Sequence, residues 1–463
     1  MDIPFAINSY LSRSRPISQQ RLVNGYVEKT QEGAKSQIPV FNTPGIKAWT
    51  TVGDGPIRGA AVFKGKIYVV SGTELYAVDS GGLSSLVGDI PGAERCTMAV
   101  GNFLVIQTET FAYYTGGAGT LPVADPDFQG ASSVAWLGGY YIYPKPNTDV
   151  FYVSQAEAPS DIDAFDYASA EAMPDNIVTS IVDHNDLILF GDQVTEIWAL
   201  RGGTFPFIRL QNGVLEYGCA AKHSPAKLDN SVFWLSNDKS VRVLRDNIPQ
   251  RVSTDVMDTA FEGYGKIDDA IGISMVIDGR ATYTLIFPTE GKTWQFSVNT
   301  GLWNELESYN IGRWRVDGYI NYQGKHLVWD ATTNRLGELD KDVYTEWGEQ
   351  VVWTATSAPV VNGNKWLFHN SLYLDFETGD TSVVDAVTGD DRGAALMIRW
   401  SDDAKNWGPA YQRYLGRVGE YSERVSINQS LGRAKNRVYE ISISDPVRRR
   451  FIAAEGDISP GGY

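Results

Sequence analysis

The stretch HNDLILFGDQVTEIWAL (His184–Leu200) contains the pattern that decides the fold of this chain. A polar turn precedes a short apolar strand, and a second turn precedes a second strand. The same order recurs with different letters in FKGKIYVVSGTELYAVD (Phe63–Asp79), GNFLVIQTETFAYY (Gly101–Tyr114), GGYYIYPKPNTDVFYVS (Gly138–Ser154), DNSVFWLSNDKSVRVLR (Asp229–Arg245), DGRATYTLIFPTEGKTWQFS (Asp278–Ser297) and QGKHLVWDATTNRLGELD (Gln323–Asp340). Equivalent turns lie 36 residues apart at the closest and typically 45 apart. Repeats of about 40–50 residues made only of short strands are typical of β-propeller blades.

The composition also predicts an all-β protein. The 463 residues include 46 Gly, 24 Tyr, 18 Phe and 13 Trp, as expected for many short strands joined by tight turns. The best candidate for a helix, PSDIDAFDYASAEAMPD (Pro159–Asp175), holds at most a turn or two. We interpret it as an insertion between the third and fourth repeats, so the sequence predicts six or seven blades.

Polarity, turn signals and strand length divide the chain into three regions. Residues 1–55 are polar and rich in turn signals, and we expect this arm either to run along a neighbour or to close the last blade. Residues 56–340 form the predicted propeller. After them the strands become longer and alternate between apolar and polar residues, which predicts a β-sandwich over residues 345–463. The predicted strands of this sandwich are Val351–Val361, Asn370–Gly379, Ala395–Trp407 and Arg437–Pro446.

The net charge of −16 argues against a protein that grips nucleic-acid phosphates. The charge is uneven, because residues 391–463 hold 12 Lys or Arg against 9 Asp or Glu, whereas the rest holds 28 against 47. An acidic body repels polyanions and so favours passage of DNA over adhesion. The chain shows no apolar run of signal-peptide type and no stretch of membrane-spanning length, so we expect a soluble protein made in a reducing cytoplasm.

Motifs that could support chemistry are weak. The segment SDDAKNW (Ser401–Trp407) approximates the Asp-box S-x-D-x-G-x-x-W, but Lys405 replaces its Gly, and a hairpin turn is the favoured interpretation. The two cysteines, Cys96 and Cys219, are too few for a disulfide framework and are expected to be buried thiols. No P-loop, dinucleotide fingerprint or nucleophile elbow is present in the sequence.

Two acidic groups have residue types that can bind a metal ion. Asp161, Asp163 and Asp166 lack the Gly and the distal Glu of a calcium loop, so a solvated acidic loop is favoured. Asp183, His184 and Asp186 fall on a blade turn, where Asp commonly satisfies turn amides. We therefore predict no catalytic residue, no cofactor and no metal site, although a paired-carboxylate glycosidase is conceivable in any acidic β protein.

The most distinctive feature of the C-terminal region is a series of arginines that alternates with apolar positions. Arginine offers a bidentate fork suited to carboxylates on another surface. One interpretation is a strand with a solvated basic face; the other is a docking face for acidic neighbours, such as identical subunits. The candidate interface residues are Arg417, Arg424, Arg433, Arg437, Arg448, Arg449 and Arg450.

Four segments carry a family resemblance. LGRVGEYSERV (Leu415–Val425) and LGRAKNRVYEISISDP (Leu431–Pro446), together with RLVNGYVE (Arg21–Glu28) and FNTPGIK (Phe41–Lys47), resemble the packaged-DNA stabilisation proteins of short-tailed bacteriophages. The resemblance spans arm, propeller and sandwich in order, and its motifs are structural. It implies a virion protein, assembled in the bacterial cytoplasm, that forms a tail nozzle or hub with no catalytic residues.

The resemblance also implies partners. These are a homo-oligomeric ring of six copies, a portal-adaptor protein, a needle, fibre or tailspike, and double-stranded DNA that passes without sequence-specific binding. No membrane is implied. Two rival functions remain open from the residues alone. One is a carbohydrate-binding or carbohydrate-cleaving propeller of a phage adhesin, suggested by aromatic-rich loops. The other is a cytosolic scaffold propeller, although the GH…WD dipeptides of that class are missing here.

Overall fold

The computed structural model describes the chain except residues 6–7, 13, 15–16, 110, 204, 380–381, 386–387, 421–423, 428–429 and 462–463, and except the side chains of Leu11 and Arg424. Its architecture is all-β, a β-propeller followed by a β-sandwich. Within the described residues the single α-helix is Asp255–Glu262, which begins after Thr254, whose hydroxyl accepts a hydrogen bond from the Met257 amide.

Five separate four-stranded antiparallel sheets follow one another along the described chain. Sheet 1 consists of Ile57–Phe63, Lys66–Ser71, Glu74–Val78 and Ser84–Asp89. Sheet 2 consists of Thr97–Val100, Leu104–Gln107, Ala112–Thr115 and Leu121–Pro122. Sheet 3 consists of Ala135–Leu137, Tyr140–Pro144, Val150–Gln155 and Ala158–Ser169. Sheet 4 consists of Ile177–Asp183, Asp186–Gly191, Thr195–Leu200 and Phe207–Leu215. Sheet 5 consists of Ala226–Leu228, Ser231–Leu235, Val241–Arg245 and Ile248–Arg251.

Two further sheets have partners outside their own repeat. Sheet 6 consists of Ile271–Ile277, Arg280–Phe287, Lys292–Ser297 and Leu302–Glu305, and its last strand pairs onward into the sandwich. Sheet 7 consists of Val316–Tyr322, Lys325–Asp330 and Arg335–Asp340, and its outer strand is Gly45–Thr51 from the N-terminal region. The hairpin Thr345–Glu346 and Glu349–Gln350 extends sheet 7 beyond that strand.

The seven sheets form a closed ring. The first strands of sheets 1, 2, 3 and 4 contact one another in turn, as do those of sheets 5, 6, 7 and 1, and sheets 4 and 5 share an apolar core. A separate apolar core fills each gap between neighbours, as Trp329 of sheet 7 and Val69 of sheet 1 illustrate. The hairpins quoted from the sequence lie at the centres of these sheets, because apolar residues on both faces of the central strands are buried between neighbouring sheets.

The predicted insertion at residues 159–175 is wrong in its first part. Ala158–Ser169 is the outer strand of sheet 3, paired with Val150–Gln155 through two register shifts. The sequence of this edge strand lacks a regular alternation of apolar and polar residues because most of the strand is solvated. Phe165 is 87% exposed, whereas Ile162 is buried. Charged residues such as Asp163 are common on edge strands, where they discourage pairing with another chain.

The sandwich is built from two sheets that include N-terminal strands. The first contains Leu22–Val23, Trp353–Thr356, Asn436–Ile443, Ala395–Ser401 and Tyr411–Tyr414, with Val360–Val361 at the side. The second contains Gly25–Val27, Val40–Asn42, Arg450–Pro460, Leu367–Phe376 and Arg424–Ile427, with Arg433–Ala434 at the side. Two small hairpins are Tyr10–Leu11 with Gln19–Gln20 and Val383–Val384 with Asp391–Arg392. Trp353, Leu374 and Ile441 lie fully buried in the shared core.

Candidate functional site

The N-terminal strand Leu22–Val23 joins the propeller to the sandwich. Val23 pairs in parallel with Glu305 of sheet 6, and the same strand pairs antiparallel with Trp353–Thr356 of the sandwich. The result is one ten-stranded sheet that runs from the propeller into the sandwich. Because backbone hydrogen bonds cross this junction on both sides, bending the two domains apart would require breaking sheet structure.

Side chains reinforce this junction. Arg21 donates from Nε to Glu305 Oε1 at 3.0 Å and from Nη2 to Glu305 Oε2 at 2.6 Å, while the Glu305 side chain is only 8% exposed. Asn24, at a φ of 56°, donates from Nδ2 to the carbonyls of Glu307 and Val352 at 2.8 and 2.9 Å. The Asn24-Gly25 dipeptide is a turn signal in sequence, and nothing local reveals that its amide connects two domains.

A buried carboxylate lies beside the same junction. Glu346 accepts hydrogen bonds from Trp314 Nε1 at 3.0 Å and from Ser308 Oγ at 2.5 Å. Burial, only partly offset by these two donors and by the charge of Arg315, raises the pKa of Glu346 to about 7. The backbone of Glu346 also pairs with Ile46 of the strand that completes sheet 7, so ionisation of the Glu346 carboxyl would place a buried charge beside the last sheet of the propeller.

Two of the candidate interface arginines lie inside the sandwich. Arg437 is 2% exposed; it donates from Nε and Nη2 to the Asp402 carboxylate at 2.6 and 3.0 Å, and from Nη1 to the Leu431 carbonyl. Arg449 is 1% exposed and donates to the carbonyls of Val351 and Asp445. These guanidinium groups face protein rather than solvent, so they hold the sandwich together and are not available to another subunit.

Three other candidates lie at the surface in ion pairs within the chain. Arg417 pairs with Glu420 at 2.7 Å, and Arg450 pairs with Glu377 at 2.6 Å. Arg448 lies 3.4 Å from Asp342 and donates to the Tyr344 hydroxyl. The side chain of Arg424 lies outside the described residues. The structure therefore does not gather the seven arginines on one face.

Arg433 differs from the others because it is exposed and, within the described residues, forms no ion pair. Its guanidinium carbon lies 4.7 Å from the centre of the Trp366 ring, and Lys435 Nζ lies 5.5 Å from the same ring. Phe368, on the adjacent strand, is 43% exposed. Trp366, Phe368, Arg433 and Lys435 together form what we call the cation–aromatic patch. Arginine beside exposed aromatic rings is typical of protein-binding surfaces.

The Asp-box-like segment forms a capped turn. Asp403 Oδ1 accepts hydrogen bonds from the amides of Lys405 and Asn406 at 2.8 and 2.7 Å and from Ser401 Oγ at 3.0 Å. These donors lower the pKa of Asp403 well below its usual value. The segment links two strands of the sandwich, and its polar side chains are used to satisfy the turn, which agrees with the structural interpretation.

The two acidic groups also have local roles. Asp163 accepts from the Phe165 amide and Asp166 from Gln155, both on the outer edge of sheet 3. His184 lies between Asp183, at 3.2 Å, and Asn230 of the next sheet, at 2.5 Å, and these partners raise the pKa of His184. Among the described residues, no three His, Cys, Asp or Glu side chains are grouped so that they could hold a metal ion.

Both cysteines are buried and unpaired thiols. Burial raises the pKa of Cys96 and of Cys219 to about 11, so neither is a reactive thiolate near neutral pH. In the part of the chain that the structure describes, no helix is long and apolar enough to cross a membrane.

The centre of the propeller contains a cavity of about 600 Å³ lined by the inner strands of several sheets. A second cavity of about 260 Å³ adjoins it, and Arg95 lines both. The larger volume is that of a site for a small molecule. It is too small for a DNA duplex, whose major groove alone is about 12 Å wide. No sequence signal marked this cavity, because its lining residues come from separate repeats.

Solved structures share only a distant similarity with the chain. YCF48 from Cyanidioschyzon merolae matches with a TM-score of 0.42 and 9% identity, over 64% of this chain and 99% of that one. The N-terminal domain of Nup159 matches with a TM-score of 0.39 and 10% identity, over 67% of this chain and 97% of that one. At these values they carry no argument about function. Among curated proteins, none matches the chain.

Two family models match the chain in the order of its domains. The model described as the β-propeller of bacteriophage P22 Gp10 matches residues 5–344, and the model described as the β-sandwich of the same protein matches residues 352–459. Together they cover nearly the whole chain and correspond to the two architectures seen in the structure. The chain therefore belongs to the family of bacteriophage P22 Gp10, a family of structural phage tail proteins.

Proposed function

We propose that this protein forms the nozzle of a phage tail, an oligomeric ring that prolongs the DNA channel below the portal and its adaptor. In this role it helps to retain the packaged genome and provides attachment for a needle, fibres or tailspikes. Its work is mechanical and electrostatic, without catalysis, and it assembles in the bacterial cytoplasm. The observation that carries the proposal is the match of both domains, in order, to one phage tail protein.

The geometry supports a channel formed between copies rather than within one. The cavity at the propeller centre measures about 600 Å³ and is too small for a duplex. DNA would therefore pass through the middle of a ring of subunits, for which we propose six copies. A stiff subunit suits such a wall, and the ten-stranded sheet across the domain junction supplies that stiffness.

The charge of the chain suits passage of DNA. Each copy carries a net charge of −16, so a ring of copies presents a strongly acidic assembly. Like charges disfavour adhesion of phosphates to the channel wall, and the repulsion weakens as salt screens it. We propose that this repulsion lets DNA leave without sequence-specific binding once a distal plug departs.

We propose that the cation–aromatic patch of one copy docks on the acidic propeller of the next. A closed ring of identical subunits requires two different complementary faces on each copy. Within the described residues Arg433 has no carboxylate partner of its own, and Trp366 and Phe368 beside it offer apolar area to bury. Arg417, Arg448 and Arg450 already pair within the chain and would contribute less.

The test is negative-stain microscopy of the purified chain, alone and mixed with its portal–adaptor complex. We expect an added ring with a central hole. Arg433→Glu should prevent ring formation, because it places a carboxylate against an acidic face. Arg245→Glu is the matched control, since Arg245 is an exposed arginine on the propeller with no ion pair in the described residues.

The nozzle function and the docking role of the cation–aromatic patch would be contradicted by different results. A chain that stays monomeric at high concentration and adds no density to the portal–adaptor complex would contradict the nozzle function. Rings formed equally well by Arg433→Glu would contradict only the assignment of the patch. Binding to a glycan array or cleavage of a polysaccharide would instead favour an adhesin.

A further inference from the structure

The central cavity of the propeller has an unusual set of charged groups for an acidic protein. Its lining includes Arg95, Lys222, His223, His184 and Lys227, and no Asp or Glu of the described residues lines it. The chain as a whole carries 56 Asp or Glu against 40 Lys or Arg. The cavity is therefore positive inside a negative molecule.

Three of these groups meet at one end of the cavity. Arg95 comes just before the inner strand of sheet 2, and Lys222 and His223 come just before the inner strand of sheet 5. Inner strands of a propeller run in the same direction around the ring, so residues that precede them lie at the same mouth. Sheets 2 and 5 are three places apart in a ring of seven, so the groups approach from opposite sides.

The positive charges there are poorly neutralised. Burial lowers the pKa of Arg95 and of Lys222, and burial together with the charges of Arg95 and Lys222 lowers the pKa of His223 well below its usual value. Two carboxylates are near enough to oppose this effect. Asp317 is already paired with Arg313 at 3.1 Å, and Glu94 is exposed.

The hydrogen-bonding capacity of the cluster is mostly unused. Arg95 donates from Nη1 to the Asp317 carbonyl at 2.6 Å, which fixes its guanidinium in the cavity. Within the described residues the Lys222 ammonium and the His223 ring have no hydrogen-bond or ion-pair partner, although both side chains are half-buried. A half-buried cation that lacks a partner, such as the Lys222 ammonium, is costly to a fold unless an anion joins it, and the neutral His223 ring still has an N–H that can donate to such an anion.

We propose that the central cavity binds a small oxyanion, such as inorganic phosphate, between Arg95 and Lys222, with His223 as a further hydrogen-bond donor. The volume suits a small ion with its water and excludes a macromolecule. A bound oxyanion would tie sheets 2 and 5 together across the ring and so stiffen the propeller. The proposal does not depend on the role of the protein in a phage tail.

The test uses isothermal titration of the full chain with sodium phosphate at constant ionic strength, balanced with chloride. We expect saturable binding of one phosphate per chain and a thermal midpoint that rises with phosphate concentration. Lys222→Met keeps the length of the side chain and removes the charge. It should weaken phosphate binding at least about tenfold, the effect of one lost charge-assisted hydrogen bond.

Two variants distinguish a specific phosphate site from a general salt effect. Lys222 makes no hydrogen bond in the described residues, so Lys222→Met should fold, with a midpoint in chloride alone at or above that of the wild type. Lys405→Met, an exposed lysine of the sandwich, is the matched control and should bind phosphate like the wild type. The proposal is wrong if the wild type shows only a non-saturating salt effect, or if Lys222→Met binds phosphate as tightly as Lys405→Met.

Discussion

Replacing Glu346 by Gln should change how the stability of this protein depends on pH. Glu346 is 5% exposed and lies between Ser308 and Trp314 at the end of the propeller. Gln has nearly the same shape, can still accept a hydrogen bond from Trp314, and cannot ionise. The comparison of the two proteins therefore isolates the charge of one carboxyl group.

The magnitude follows from the pKa. Burial, opposed by hydrogen bonds from Ser308 and Trp314 and by the charge of Arg315, raises the pKa of Glu346 from 4.5 to about 7 in the folded state. The folded protein therefore prefers the protonated carboxyl. The stabilisation is fully present below the unfolded pKa and is lost as pH rises through about 7. The complete loss corresponds to about 3 kcal/mol, of which about 2 kcal/mol falls between pH 5.5 and 8.5.

The assay is urea unfolding followed by tryptophan fluorescence at a series of pH values above the isoelectric point of about 4.8. The quantity of interest is the free energy of unfolding of the wild type minus that of Glu346→Gln. It should fall by about 2 kcal/mol between about pH 5.5 and 8.5. Other titrating groups contribute to both proteins and cancel in this difference.

Glu349→Gln is the matched control, because Glu349 is exposed in the same hairpin. This variant removes one negative charge from the surface of that hairpin without touching the buried carboxyl, so it reports the effect of net charge alone. If the difference for Glu346→Gln is flat with pH, or rises, then the carboxyl is not held protonated by burial and the reasoning fails.

Two more substitutions test how the domains are held together. Arg21→Met removes the bidentate partner of the buried Glu305 and should lower the free energy of unfolding, measured in urea, by about 3–5 kcal/mol. Adding Glu305→Gln should recover part of this loss, because the unpaired buried charge is then removed as well. If nothing is recovered, the charge of Glu305 is not the cause of the loss. Arg437→Glu places a carboxylate beside Asp402 inside the sandwich and should destabilise the monomer by a similar amount, about 3–5 kcal/mol. The exposed Arg433→Glu is the control and should leave the thermal midpoint of the monomer unchanged. Equal midpoints for the two variants would contradict the burial of Arg437.

The propeller could be predicted because each of its sheets is encoded locally. The hairpin His184–Leu200, for example, contains two apolar strands whose side chains are buried on both faces, and it begins with a turn in which His184 adopts a φ of 52°. The outer strands were harder to predict, as Ala158–Ser169 shows, because one solvated face and two register shifts remove the regular alternation.

The positions of the C-terminal arginines could not be predicted from the sequence. In sequence, Arg433, Arg437 and Arg449 all alternate with apolar residues and look equivalent. The structure separates them, since Arg433 faces solvent beside Trp366 while Arg437 and Arg449 are bonded inside the sandwich. Alternation gives the face of a strand, but which face is covered depends on residues distant in the chain, such as Asp402 and Val351.

The sequence by itself determined the all-β architecture and the order of propeller and sandwich, because turn residues and strand periodicity act over a few neighbouring residues. The family followed separately, from the resemblance of segments such as Leu431–Pro446. Only the tertiary structure decided the rest. It brought Gly45–Thr51 to the outer edge of sheet 7, placed Leu22–Val23 between the two domains, and gathered Arg95, Lys222 and His223 in one cavity. These contacts join residues up to 333 positions apart, as in the pair Leu22 and Ala355, and their partners are set by how the whole ring closes and packs.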